Sequence, residues 1–384
     1  MRRLTGLDGL RGIAALIVVI YHTSLVAEPY LNTHRVGDAW WWISASPLKF
    51  LTAGPEFVLV FFILSGLVVA LPALREGFGW TKYYAARLIR LYVPVWAALA
   101  VSALLVLSLP RNSSMVAKGS WMATSNATSA TSSTLFSQAG LTRASYNLDN
   151  VMWSLRWEIV FSIALPLFIL LAARIGRFWV PAIGVAASLY TVGTFANNAQ
   201  LTYLPLFLAG TLAAVHIEEI TTWARKRSGR FWTLTASASA LLIVLGPIVG
   251  RLPGAGALAT FATGAAAFGA VGLVLSVIGS PTLDSALSAR VPQFFGKISF
   301  SLYLVHVPLL TVVTYLVGDS AWILIAALVP PLAVATGWGF YLAVERPSQK
   351  AAKSIGAAAG RAVRIRRPAR EWHSLVVASP IRHW

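Results

Sequence analysis

The sequence contains no cysteine. That absence removes disulfides, thiolate metal sites and cysteine nucleophiles at once. Charge is nearly as scarce: 11% of residues are Asp, Glu, Lys or Arg, where a soluble globular domain carries about 25%. The shortage falls mainly on one sign, with 13 acidic residues against 31 basic ones. A chain that is 57% hydrophobic and this poor in charge lacks the polar surface to cover a domain in water. Lipid is its solvent for most of its length.

The formal charge of +18 raises the question of nucleic acid, and the positions of the charges answer it. Basic residues sit between apolar runs and in the C-terminal tail, with no platform of aromatic rings among them, so nucleic acid is not an expected partner. Charge placed this way sets the orientation of a membrane protein. The first apolar run has Arg11 close before it and His22 within it, and it ends at Ala27-Glu28-Pro29. That is a poor cleavage site, and the run reads as a retained span rather than a leader.

Ten apolar runs are candidates to cross a bilayer. They cover 13–27, 57–74, 92–109, 151–173, 178–195, 201–215, 231–249, 257–278, 298–317 and 321–344. The predicted class is all-α, a polytopic membrane bundle of about ten transmembrane helices. The run at 257–278 is mostly Ala and Gly, which suits a helix packed tightly between others. An even number of spans puts both termini on one side. With the N-terminus inside, the inner segments hold about three quarters of the 31 basic residues, as the positive-inside rule expects. The reading is a multi-pass membrane protein with both termini cytoplasmic. Residues 1–350 form the membrane domain, and 351–384 form a basic tail suited to the anionic inner leaflet. Two outer segments are long. Residues 28–53 contain Trp40, Trp41 and Trp42, a pattern of interfacial anchors. Residues 111–150 are rich in Ser and Thr and read as a loop over the outer face.

Ionisable groups inside hydrocarbon are expensive, so each is a functional candidate. Glu158 is the carboxylate well inside an apolar run, and His22 and His306 are the histidines within spans. Arg11 and His22 are eleven residues apart, close to three helical turns, and so share a face at a separation of roughly 16 Å. Ser154 and Glu158 are neighbours one turn apart. Counted from the outer surface, Glu158 and His22 fall at similar depth, and a carboxylate that orients an imidazole is a standard arrangement for activating a hydroxyl. The competing reading is a Glu that pairs with Arg156 or reaches the interface, and a His that only packs. Arg87 and Arg90, one turn apart at an inner surface, suit a phosphate as well as an ordinary basic flank. Ser299, Tyr303 and His306 form a polar stripe that serves interhelical hydrogen bonding as readily as catalysis.

These residues fall in blocks that resemble a known family, the bacterial type-3 acyltransferases. Leu7-Asp8-Gly9-Leu10-Arg11-Gly12, with His22 eleven residues after Arg11, is similar to the family's opening. Phe61-Phe62-Ile63-Leu64-Ser65-Gly66 is similar to its second-span block, and Arg87-Leu88-Ile89-Arg90 to its paired-arginine segment. Trp153-Ser154-Leu155 with Glu158, the run from Gly296 through Tyr303 to His306, and Glu345-Arg346-Pro347 follow in the family's order. Phe300, Val305 and Gly54-Pro55-Glu56 depart from its usual pattern. The resemblance implies about ten spans and transfer of an acyl group, usually acetyl, from acyl-CoA to a hydroxyl. Acceptors in the family include glycans, glycolipids and macrolide-type natural products.

Combined with the topology, this gives an expected mechanism. Acyl-CoA enters from the cytoplasm with its phosphates near Arg87, Arg90 and Arg11. His22, held by Glu158, takes the acceptor proton or carries the acyl group covalently. Ser65, Trp153, Ser154, Tyr303 and His306 bind substrate or hold the fold, and no metal is expected. A transporter or flippase of an envelope precursor is the alternative from another class, but such proteins often show related halves and none is visible here.

Overall fold

The computed structural model describes residues 5–33, 35–109, 111–127, 129–141 and 146–366. The remainder of the basic tail, from residue 367, lies outside the described residues, as do Arg2, Arg3 and Arg143. Ten long helices account for the ten apolar runs: α1 (Thr5–Leu31), α2 (Gly54–Ala73), α3 (Trp80–Ser108), α4 (Met152–Ile175) and α5 (Trp179–Phe195), then α6 (Ala199–Val215), α7 (Gly229–Val249), α8 (Gly256–Gly279), α9 (Arg290–Val317) and α10 (Trp322–Phe340). An eleventh, α11 (Arg346–Arg366), follows α10 through a single π-helical turn, Tyr341–Glu345. No strand occurs among the described residues.

By length and apolarity eight of the described segments can cross a membrane, or nine when Ala199–Val215 and Ile217–Arg225, bent by 71°, count as one. One of the eight, Met152–Phe195, is a hairpin. Trp157 and Phe161 of α4 meet Tyr203 and Phe207 of α6 in the same order. Trp179 and Gly193 of α5 meet His216 and Thr202 in the reverse order. α4 and α5 are therefore antiparallel, and the segment crosses twice. The outward faces carry Leu104, Leu107, Leu167 and Ile323, each more than 60% exposed. In water such a surface would aggregate; in lipid it meets its own kind.

Two close contacts set the positions of the functional side chains. α1 and α9 run parallel, and they touch where neither has a side chain: a Cβ on Gly12 would lie 2.3 Å from the Gly296 nitrogen. α2 and α6 meet the same way, a Cβ on Gly66 falling 2.2 Å from the Phe207 carbonyl oxygen. Backbones can approach this closely only over glycine.

The segment 111–150 differs from the expected loop. It carries short helices at Trp121–Ser125 and Ser132–Ala139. Ser120 accepts from the Ala123 N–H, and Thr131 forms a capping box with Thr134, so part of the composition that reads as a loop is the punctuation of helices. The segment covers the bundle at the far end of α1, where Met122 is buried and Asn126 accepts from Thr311 Oγ1 at 3.1 Å. Of the tryptophan cluster, Trp40 is buried and Trp42 is half exposed.

Candidate active site

A cavity of about 1270 Å³ lies between α1, α2, α3, α4, α9 and α11. It opens on the face where α1 begins, past the connection from α2 to α3. Seven basic side chains and three carboxylates line it, so its field favours an anion. Arg11, Arg87, Arg90, Glu158, Ser65, Ser154 and Tyr303, up to almost three hundred residues apart in sequence, all reach this one space.

Arg87 of α3 forms an ion pair with Glu158 of α4 at 2.6 Å, with the two side chains 13% and 25% exposed. Arg87 Nε also donates to Ser162 Oγ at 3.0 Å, and Ser65 Oγ donates to the same Glu158 oxygen at 3.0 Å. A largely buried carboxylate needs a cation and hydrogen bonds together to offset its lost hydration, and the three elements supply both. Arg11 donates to the Gly296 carbonyl at 3.0 Å and lies 4.0 Å from Asp8. Arg90 is exposed to the cavity; Arg11, Arg87, Glu158 and Glu345 are its electrostatic neighbours. Trp153 does not line the cavity; it packs between Phe62 and Tyr203.

The cavity ends on Tyr303. Its hydroxyl shares a hydrogen bond with Ser154 Oγ at 2.8 Å, and its ring stands 5.9 Å from that of His306. Behind it, His306 Nε2 and His22 Nδ1 are 3.1 Å apart. The remaining contacts fix the tautomers. His306 Nδ1 lies 3.1 Å from the Leu302 carbonyl, and His22 Nδ1 lies 3.0 Å from the Val18 carbonyl. Carbonyls only accept, so in the neutral pair both Nδ1 atoms carry hydrogen. His306 Nε2 is then a lone pair facing the His22 Nδ1–H. His22 Nε2 is also a lone pair, and no described residue hydrogen-bonds to it. His306 is 1% exposed, while His22 keeps partial exposure beneath Trp121, whose ring is 5.2 Å away.

The expected pairing of Glu158 with His22 is not made. α4 does not begin at the far surface: Asp149, Val151 and Met152 are buried under the 111–150 cover. Ser154 therefore sits level with Tyr303 and Glu158 about one turn deeper, roughly 10 Å along the bundle from the histidines. At that depth Arg87 is the nearer partner. Sequence reasoning also passed over the meeting of His22 with His306, although a signal was present. His22 follows Gly12 by ten residues, and His306 follows Gly296 by ten. Parallel helices that touch at the two glycines must bring the two histidines together.

A profile of the type-3 family, described as an acyltransferase domain, matches residues 4–343. The chain belongs to acyltransferase family 3. It is an enzyme that transfers acyl groups other than amino-acyl groups. Comparison with curated proteins and with solved structures gave no match. In this acyltransferase the matched segment ends just before α11, whose side chains Gln349, Lys353 and Arg361 nevertheless line the cavity.

Proposed function

We propose that this membrane acyltransferase moves an acyl group, most simply acetyl, from acyl-CoA to a hydroxyl of a glycan, glycolipid or macrolide-type acceptor. The observation that carries the reading is a large basic cavity on one face with two histidines in contact, 3.1 Å apart, behind the tyrosine that lines it. The cavity suits a long, multiply anionic donor. Arg11 and Arg90 are the cations within it that favour phosphate, while Arg87 is held by Glu158 and shapes the wall. The reactive end of the donor reaches Tyr303, whose ring must shift for a thioester carbon to approach His22.

The acceptor comes from the far face, beneath Trp121. Its hydroxyl gives its proton to His22 Nε2 as its oxygen attacks the thioester carbonyl; the carbon–sulfur bond then breaks, and the imidazolium returns the proton to the thiolate. His306 accepts from the His22 Nδ1–H, holds the productive tautomer and stabilises the charged ring. A positioned base of this kind contributes about 10²–10⁴-fold. The basic cavity face is assigned to the cytoplasm from the charge asymmetry of the connecting segments.

The acceptor is the part to be found. Mass spectrometry of envelope glycans, lipids and secreted metabolites from a strain lacking the gene should show one class of compound without its acyl ester, restored by the wild-type gene. If every O-acylated species persists at its normal level, acyl transfer to these acceptors is the wrong reading.

A further inference from the structure

The cavity is closed on one side by a helix that the family profile does not reach. α11 begins at residue 346, after the matched segment 4–343, and continues through 350 and 351 without a break. It is fastened at its root. Glu345 accepts from the Ser301 N–H at 3.2 Å and its hydroxyl at 2.5 Å, and Gln349 donates to its other oxygen at 2.8 Å. From there α11 lies along the first turns of α3. Its buried stripe is Ser348, Ala352 and Gly356, and a Cβ on Gly356 would sit 2.9 Å from the Lys82 carbonyl oxygen. Small residues at one-turn spacing let the two helices close on each other.

That packing leaves Lys353 and Arg361 exposed and lining the cavity, together with Arg75 and with Lys82, on which α11 packs. Glu76 lines it as well. Lys353 lies two turns beyond Glu345, and Arg361 four turns beyond, roughly 12 and 24 Å along the helix. Glu345 is itself an electrostatic neighbour of Arg90 and Arg11. Positive charge thus continues from the inner arginines out to the mouth, on a wall built largely from outside the family segment. None of Lys353, Arg361, Lys82 and Arg75 forms an ion pair among the described residues. An ordinary membrane-surface helix would turn its basic side chains toward lipid headgroups; these two turn toward the cavity.

We infer that α11 is the outer wall of the donor site, and that Lys353 and Arg361, with Lys82 and Arg75, bind the phosphoryl groups of the nucleotide end of coenzyme A. This rests on the acyl-CoA reading above. Coenzyme A carries its diphosphate and its ribose phosphate at the end remote from sulfur, so the molecule fits the cavity in one direction, phosphates at the mouth and thioester at Tyr303. Long cationic side chains on a helix wall suit phosphates whose position varies with the ligand's fit.

The test uses the whole protein in nanodiscs of phosphatidylcholine, with binding of coenzyme A, dephospho-coenzyme A and pantetheine followed by calorimetry. Lys353→Gln/Arg361→Gln should weaken coenzyme A about tenfold or more and leave pantetheine unchanged, and the coenzyme A deficit should shrink at high salt. Lys353→Arg should bind as the wild type does. Equal affinity of the double variant and the wild type for coenzyme A would overturn the assignment while leaving the donor reading intact. No coenzyme A binding by the wild type would overturn the donor reading and this assignment with it. A deficit that appears only in nanodiscs containing anionic lipid would mean that the two side chains bind headgroups, and the assignment would fail.

Discussion

At the scale of single residues, the polar groups inside apolar spans were readable because hydrocarbon makes each of them costly. Glu158 was singled out that way, and Arg11, Arg87, Arg90 and Tyr303 by the helix faces they share with other polar groups; one cavity gathers all five. What the sequence withheld was pairing. Whether Glu158 faces Arg87 or His22 depends on how deep α4 starts, and a buried cover decides that. Asp149, just outside the span, was not anticipated at all. It is fully buried, and neither carboxyl oxygen has a hydrogen-bond partner among the described residues. The Val151 N–H faces it but only partly offsets the lost hydration, and burial pushes its pKa well above the carboxylate range. The folded protein then keeps a proton that the unfolded chain releases. Stability is full below the unfolded pKa and falls as pH rises toward the folded one. Asp149→Asn keeps the shape without the titration. It should raise Tm by a few degrees at pH 8 and change it little at pH 4, read from thermal unfolding in detergent. A lower Tm at pH 8 would mean that the carboxylate is ionised and held.

Among the elements, the ten long helices were legible because each is a long apolar run, and the helices formed where the runs are. Less legible was the function of the glycines in the opening block. Gly12 and Gly296 are contact points that set the register of α1 on α9 and so carry His22 to His306. Gly12→Ala would put a methyl group 2.3 Å from a backbone nitrogen, which neither helix can relieve without moving apart. Overpacking of this kind costs about 1–3 kcal/mol. The expected outcome is a lower Tm together with a loss of transfer larger than the fall in folded protein, because the histidine contact opens. Gly184→Ala, where the added carbon meets nothing within 4 Å, is the control and should be neutral. Equal behaviour of the two variants in size-exclusion profile, Tm and turnover would show that register does not depend on the α1–α9 contact. α11 was the element that the sequence concealed. Its Ala-rich basic composition reads as a surface tail, and only its packing on α3 turns it into a wall.

For the whole molecule, the account is a bundle with two unlike ends, a basic cavity open on one face and a covered histidine pair toward the other. Orientation in the membrane links the ends to their substrates. Reporter fusions after Glu219 and in the C-terminal tail should score as cytoplasmic, and fusions within 120–137 as external. An external tail would put the basic cavity on the side without acyl-CoA. The central claim is that His22 Nε2 is the base and His306 its positioning partner, and the most direct measurement is a double-mutant cycle on acyl transfer with monodisperse protein. His22→Ala should reduce turnover by about 10²-fold or more, and His306→Ala should cost less. The double variant should be no slower than His22→Ala alone, since residues that act as a unit are not additive. Near-normal turnover by folded His22→Ala, or losses that simply multiply, would contradict it.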